Sequence, residues 1–156
     1  MKKAASSIRK RLLALRPALL SDALGKSGGM DHDMQCFSAN CRMAGPAYTL
    51  RVHTADILMV GKALSDCPPG RVLVIDGQGE RNTALWGAIT TECARLKRVE
   101  GIVIDGAIRD LAQIRRCPAI HNNPLCMVTT RRMLNSKAVH IGGSRTTAAA
   151  SNRDAE

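Results

Sequence analysis

Two short apolar runs govern what this chain can become. Val72-Leu73-Val74-Ile75 and Ile102-Val103-Ile104 each run into an Asp-Gly step, at Asp76-Gly77 and Asp105-Gly106. Continuous apolar runs of this length, without polar alternation, belong to strands covered on both faces, as in parallel sheets. Between them, over residues 83–97, apolar side chains recur at helical spacing, with Leu85, Ile89, Cys93 and Leu96 on one face. Strand, helix and strand make a β-α-β unit with a right-handed crossover. The fold class is therefore α/β. Both Asp-Gly steps leave the sheet at one edge, and the carboxyl ends of parallel strands are where ligands collect.

The flanking segments extend this pattern. Residues 7–25 read as helix broken at Pro17, with Leu12, Leu13, Leu15, Leu19, Leu20 and Leu24 as apolar residues and Gly25 as the stop. Ser21 and Asp22 are candidate caps for a second short helix. Residues 28–45 have no period and read as loop. Residues 47–53 alternate like a strand, 56–64 read as helix, and Cys67-Pro68-Pro69-Gly70 is a turn. Arg109-Asp110 opens a further helix, and residues 127–130 fit a short strand. Residues 138–156 are rich in Gly, Ser, Thr, Ala and Asn and read as disordered or frayed. The expected organisation is one domain over residues 1–125 and a divergent, flexible tail over 126–156.

Composition narrows the function classes. A chain of 156 residues suits one core. Phe37, Tyr48 and Trp86 are the sole aromatics, so that core is aliphatic. The net charge of +10 invites a nucleic-acid reading. The cations are scattered, as in Arg9-Lys10-Arg11, Arg115-Arg116 and Arg131-Arg132, and three aromatics offer few stacking platforms. Non-specific attraction to polyanions is expected, not a dedicated nucleic-acid site. Cysteines 36, 41, 67, 93, 117 and 126 form no Cys-x-x-Cys pair and read as reduced thiols. His32, His53, His121 and His140 read as isolated loop residues. No signal-peptide pattern and no apolar run near the ~20 residues of a membrane span is present. A cytoplasmic protein without membrane contact is the expectation.

The strand ends carry the candidate chemistry. A helix N-terminus near Trp86-Gly87 offers unpaired N–H groups and a positive dipole end, which suits a carboxylate or phosphate. Arg109 suits the same anion or a developing oxyanion. Asp110 suits a hard cation such as Mg²⁺, which keeps several waters and takes few protein oxygens. Together they describe a site for a small metal-chelating oxo-acid. The competing reading is a surface Arg-Asp pair at a helix start with a favourable dipole contact. Gly77-Gln78-Gly79 is not a dinucleotide fingerprint, because Asn82 stands where a third Gly is needed.

A longer string is more specific. Ser21-Asp22-Ala23-Leu24-Gly25, Met30-Asp31, Ala44-Gly45-Pro46-Ala47-Tyr48-Thr49, Pro69-Gly70-Arg71 leading into the first run, Ala84-Leu85-Trp86-Gly87, and residues 101–110 follow in order. In order and spacing this resembles the RraA-like family, which includes 4-hydroxy-4-methyl-2-oxoglutarate aldolases, class II pyruvate aldolases, and the regulator of ribonuclease E activity. The likeness runs from Ser21 to Ala119. It implies a three-layer β/β/α swivelling-domain fold assembled as trimers or hexamers. It implies a divalent metal, Mg²⁺ or Mn²⁺, and cleavage of 4-hydroxy-4-methyl-2-oxoglutarate to two pyruvates, with oxaloacetate decarboxylation beside it. By resemblance, the backbone amides of Gly87, Ala88, Ile89 and Thr90 bind the substrate carboxylate, Arg109 stabilises the enolate oxygen, and Asp110 binds the metal.

The chain departs from that pattern twice. An acidic residue directly after the Gly of the Trp-Gly step is Ala88 here. In the family that carboxylate orients metal-bound water and serves proton transfer. Glu92 lies one turn further along the helix and is the candidate substitute. The family's later strands and Gly- and Pro-rich stretch have no counterpart in residues 121–156, as expected of a truncated end. Three functions stay open: a metal-dependent lyase, a non-catalytic regulator that binds and inhibits a ribonuclease, and a degenerate inactive copy.

Overall fold

A computed structural model describes residues 2–37, 42–117 and 126–129. Helix α1 spans Lys2–Ala14 and α2 spans Pro17–Ala23. Pro17 stands at the first position of α2, where its missing N–H costs nothing, and Arg16 before it is extended at φ −75°, ψ 137°. Gly25 (φ +67°) ends α2: its N–H reaches Asp22 O at 3.0 Å and that of Lys26 reaches Ser21 O at 2.7 Å. This paired closure needs a left-handed residue, which Gly supplies without a Cβ clash. Ser21 and Asp22 thus sit in the last turn of α2 and do not cap its start, because Pro17 had already fixed the start four residues earlier.

The sheet follows. Strands β1 (Gln35–Cys36), β2 (Ala47–Arg51), β3 (Val72–Glu80), β4 (Gly101–Gly106) and β5 (Cys126–Thr129) lie in the order β1-β5-β4-β3-β2. All neighbours are parallel except β1, which runs antiparallel to β5. Residues 35–36, read as loop, therefore form an edge strand. The crossovers are α3 (Ile57–Asp66), α4 (Ala88–Leu96) and α5 (Leu111–Arg116). Sequential strands with right-handed crossovers place all three helices on one face, and α4 packs between α3 and α5. Asp56 caps α3 by accepting from Met59 N at 3.0 Å. This is the α/β class expected; a second sheet layer is not among the described residues.

Register aligns the core on the helix side. Tyr48, Leu73, Ile102 and Met127 form one row, and Leu50, Ile75, Ile104 and Thr129 the next. Leu73, Ile102, Ile104 and Met127 are fully buried. The strand at residues 126–129 is buried throughout, so the sheet continues directly past residue 125. Residues 130–156, with His140, lie outside the described residues, as does His121. Cys36 is disulfide-bonded, a correction to its reading as a reduced thiol. Cys67, Cys93 and Cys117 are free thiols.

Two elements differ from the sequence expectation. β3 continues past Asp76 to Glu80, with a shift of register against β4 where Gln78 (φ 56°) and Gly79 (φ 66°) take left-handed conformations. And α4 begins at Ala88, not at residue 83. Leu85 N–H donates to Ala107 O at 2.9 Å, and Arg109 N–H to Trp86 O at 2.9 Å. This ladder beyond the end of β4 holds residues 85–86 extended, so no helix forms there. The face expected to pack reverses: Ile89 is 77% and Leu96 63% exposed, while Thr91 and Ala94 meet the sheet.

Candidate functional site at the start of α4

The site lies at the carboxyl edge of β3 and β4, where the two chain extensions bring Trp86-Gly87 beside Ile108-Arg109-Asp110. Trp86 is buried and its indole N–H donates to Thr91 Oγ1 at 2.8 Å. The Thr91 hydroxyl donates in turn to Gly87 O at 2.8 Å. Thr90 closes the turn from the other side: its Oγ1 accepts from Gly87 N–H and donates to Gly87 O, both at 2.9 Å. Two hydroxyls thus fix Gly87 as the N-cap of α4. The sequence reading missed their capping part; a Thr three residues after the cap is the signal that marks it.

Gly87 is fixed by space. A Cβ there would stand 2.8 Å from Asp110 Oδ2 and 3.1 Å from Arg109 Cγ. Asp110 itself is left-handed, at φ 63° and ψ 38°. It occupies the N-cap position of α5 yet makes no side-chain bond to that helix. Its Oδ2 crosses to α4 and accepts from Ala88 N–H at 3.2 Å. The same oxygen lies 3.6 Å from Arg109 Nε. The Arg109 side chain is 55% exposed and that of Asp110 29%.

The structure therefore brings Gly87, Ala88, Arg109 and Asp110 together, with Ile89 and Thr90 in the first turn behind them. First-turn amides of a helix have no acceptor within it. Ala88 N–H meets Asp110, and those of Ile89 and Thr90 share the positive end of the dipole. The donor set also fits a divalent cation. Among the described residues Asp110 Oδ1 has no hydrogen-bond partner, and one carboxylate oxygen plus waters suits Mg²⁺.

Glu92, the candidate substitute for the acid absent at position 88, is engaged by other side chains. It accepts from Arg95 Nε at 2.7 Å and from Cys117 Sγ at 3.5 Å, across the contact between α4 and α5. The Arg95 hydrogen bond holds its carboxyl below the usual range, against its partial burial. Burial and the Glu92 carboxylate both push the Cys117 thiol up, so it remains a donor. Elsewhere Asp31, His32 and Asp33 place ligand atoms within 4.8 Å of one another, all exposed, in the loop before β1. His32 is thus flanked by two carboxylates rather than isolated.

Comparison with known proteins assigns the chain. A family model described as RraA-like, Aldolase/RraA, matches residues 17–150. The chain belongs to the Aldolase/RraA family. The match continues past Ala119, where the motif likeness ended. An Aldolase/RraA relative, the 4-hydroxy-4-methyl-2-oxoglutarate aldolase of Thermus thermophilus, is 35% identical over 99 residues, 64% of this chain and 60% of its own. The structure of the RNA-processing inhibitor RraA from Thermus thermophilus aligns at TM-score 0.65 and 28% identity, over 83% of this chain and 75% of that one. An uncharacterised Pseudomonas syringae protein aligns at TM-score 0.70 and 27% identity, over 84% and 59%. The chain spans about 60% of the length of the curated Aldolase/RraA relatives it matches.

Proposed function

We propose that the chain is a divalent-metal-dependent carbon–carbon lyase acting on pyruvate-derived oxo-acids. The preferred substrate is 4-hydroxy-4-methyl-2-oxoglutarate, cleaved to two pyruvates, with oxaloacetate decarboxylation as a side activity. One observation carries the reading: the amide end of α4, the Arg109 guanidinium and the Asp110 carboxylate converge within a few ångströms. A purely structural Arg-Asp pair at the start of α5 would place the Asp on its own helix; this one crosses to its neighbour.

Asp110 would hold Mg²⁺ or Mn²⁺, which supplies Lewis-acid polarisation of the 2-oxo group. The amides of Ala88, Ile89 and Thr90 bind and orient the substrate carboxylate along the α4 dipole, while Gly87, its own N–H held by Thr90 Oγ1, leaves room for it. As water takes the proton of the 4-hydroxyl and that carbon becomes the second pyruvate's carbonyl, the electron pair of the breaking C–C bond would pass toward the 2-oxo oxygen. Arg109 faces that oxygen and stabilises the charge that develops on it. Proton return to the resulting methyl group has no carboxylate at position 88 to serve it, so bulk water supplies it slowly.

The test is pyruvate release from each substrate with Mg²⁺ and then with EDTA. EDTA-sensitive turnover that Asp110→Ala abolishes, and that Arg109→Ala lowers in kcat more than it raises KM, is expected. Turnover unaffected by EDTA in the wild type overturns the metal role.

A second reading has its own observation. Ala88 lacks the acid and Glu92 is engaged by Arg95 and Cys117, which favours a non-catalytic regulator that inhibits a ribonuclease. Inhibition of RNA cleavage by a folded chain without lyase turnover would select it. We also infer a homotrimer or hexamer, supported by large apolar side chains turned to solvent on the adjoining helices α3 and α4.

A further inference from the structure

One of the amides assigned to the substrate carboxylate, and the guanidinium assigned to its 2-oxo oxygen, already face a carboxylate. Asp110 Oδ2 accepts from Ala88 N–H at 3.2 Å and lies 3.6 Å from Arg109 Nε. Gly87 makes the approach possible, since a Cβ would stand 2.8 Å from that same oxygen. An Asp at an N-cap ordinarily accepts from the amides two or three residues on in its own helix. Asp110 makes no such bond to α5. Its left-handed backbone, uncommon for a residue with a side chain, aims it at α4 instead.

We propose that in the metal-free chain Asp110 Oδ2 stands in for the substrate carboxylate, and that Asp110 gives up this place when it takes a divalent cation. This rests on the lyase reading and adds an order to it. A second carboxylate cannot share the α4 amides with Asp110, because two like charges a few ångströms apart in a half-buried site repel. A cation taken on Oδ1 draws the carboxylate's charge away from Oδ2, and Ala88 N–H and Arg109 are then released to the incoming anion. Cation and oxo-acid are then positively coupled, and the coupling is reciprocal. Gly87 is the positioning residue of the arrangement, and Asp110 is at once ligand and occupant.

The test compares a ligand role alone with this double role. Pyruvate is titrated by calorimetry into EDTA-treated wild type, Asp110→Ala and Asp110→Asn, and into wild type with saturating Mg²⁺. A metal ligand alone gives Asp110→Ala no advantage in the absence of metal. The double role makes metal-free Asp110→Ala bind pyruvate about tenfold or more tighter than metal-free wild type, within the usual span of coupled sites. Asp110→Asn keeps an acceptor for Ala88 N–H without the charge, and falls between the two. In parallel, the Ala88 amide resonance of the wild type is followed during a Mg²⁺ titration, which needs no variant to fold. It is expected to move upfield as the hydrogen bond to the carboxylate is lost. Metal-free Asp110→Ala no tighter than wild type, or an Ala88 resonance unmoved at saturating Mg²⁺, overturns the stand-in role while pyruvate binding by the Mg²⁺ form leaves the lyase reading intact. Failure of the Mg²⁺-loaded wild type to bind pyruvate overturns the lyase reading and this inference together.

Discussion

A methyl group stands at position 88 on the first residue of α4, half-buried and within reach of Asp110. An Asp side chain there would meet a favourable helix dipole and an unfavourable neighbouring carboxylate. Two acids so placed share a proton more readily than either ionises alone, which is the property a proton relay needs. General acid–base help is commonly worth 10²–10⁴-fold. Ala88→Asp should therefore raise the Mg²⁺-dependent rate of pyruvate release by about tenfold or more, the lower end of that range. A rate at or below wild type would place the deficit outside position 88. Of this residue-scale arrangement the sequence made the cast legible, because Gly-helix starts and an Arg-Asp step are local signals. It did not make legible that Asp110 is left-handed or that it bonds a different helix. Those are set by the ladder that brings residue 108 beside residue 86, a contact with no local trace.

Between elements, the pair Glu92 and Arg95 with Cys117 joins α4 to α5, one to two turns along α4 from the site. The Glu92 carboxyl is depressed in the fold, so the native state binds its proton later than the unfolded chain does. Its stabilising effect is full above the unfolded value, near 4.5, and is lost as the pH falls through the lower folded value. Glu92→Gln should accordingly flatten the fall of Tm with acid below about pH 5, leaving Tm near neutrality less affected by pH. Parallel slopes for variant and wild type would show that the pair adds nothing in the fold. The strands β3 and β4 were legible because burial on both faces leaves an unbroken apolar run. The start of α4 was not, because residues 83–87 keep a helical period while their backbone is claimed by β4's extension. Likewise the helix turns small Thr91 and Ala94 to the sheet, and hydrophobicity alone pointed to the opposite face.

For the whole molecule, the parallel pairing of β3 with β4 was legible as one β-α-β unit, and the RraA-like architecture was implied by the motif resemblance alone. What the chain does with its outer helices was not. Leu58 is 83% exposed on α3 and Leu96 63% on α4, and the two helices adjoin. Under the proposed assembly, sedimentation equilibrium should give a trimer or hexamer for the wild type, and Leu58→Asp with Leu96→Asp should shift it toward monomer. A monomeric wild type would remove the assembly from the proposal. One further feature acts in time rather than in space. Among the described residues β1 has a single neighbour, β5, and Gln35 pairs with Thr129 across most of the chain. Closing so long a loop is slow compared with joining β3 to β4. During synthesis, then, Gln35 and Cys36 emerge early and wait as an unmatched edge until Thr129 has cleared the ribosome. Over that interval the nascent chain exposes a strand that any other extended segment can claim.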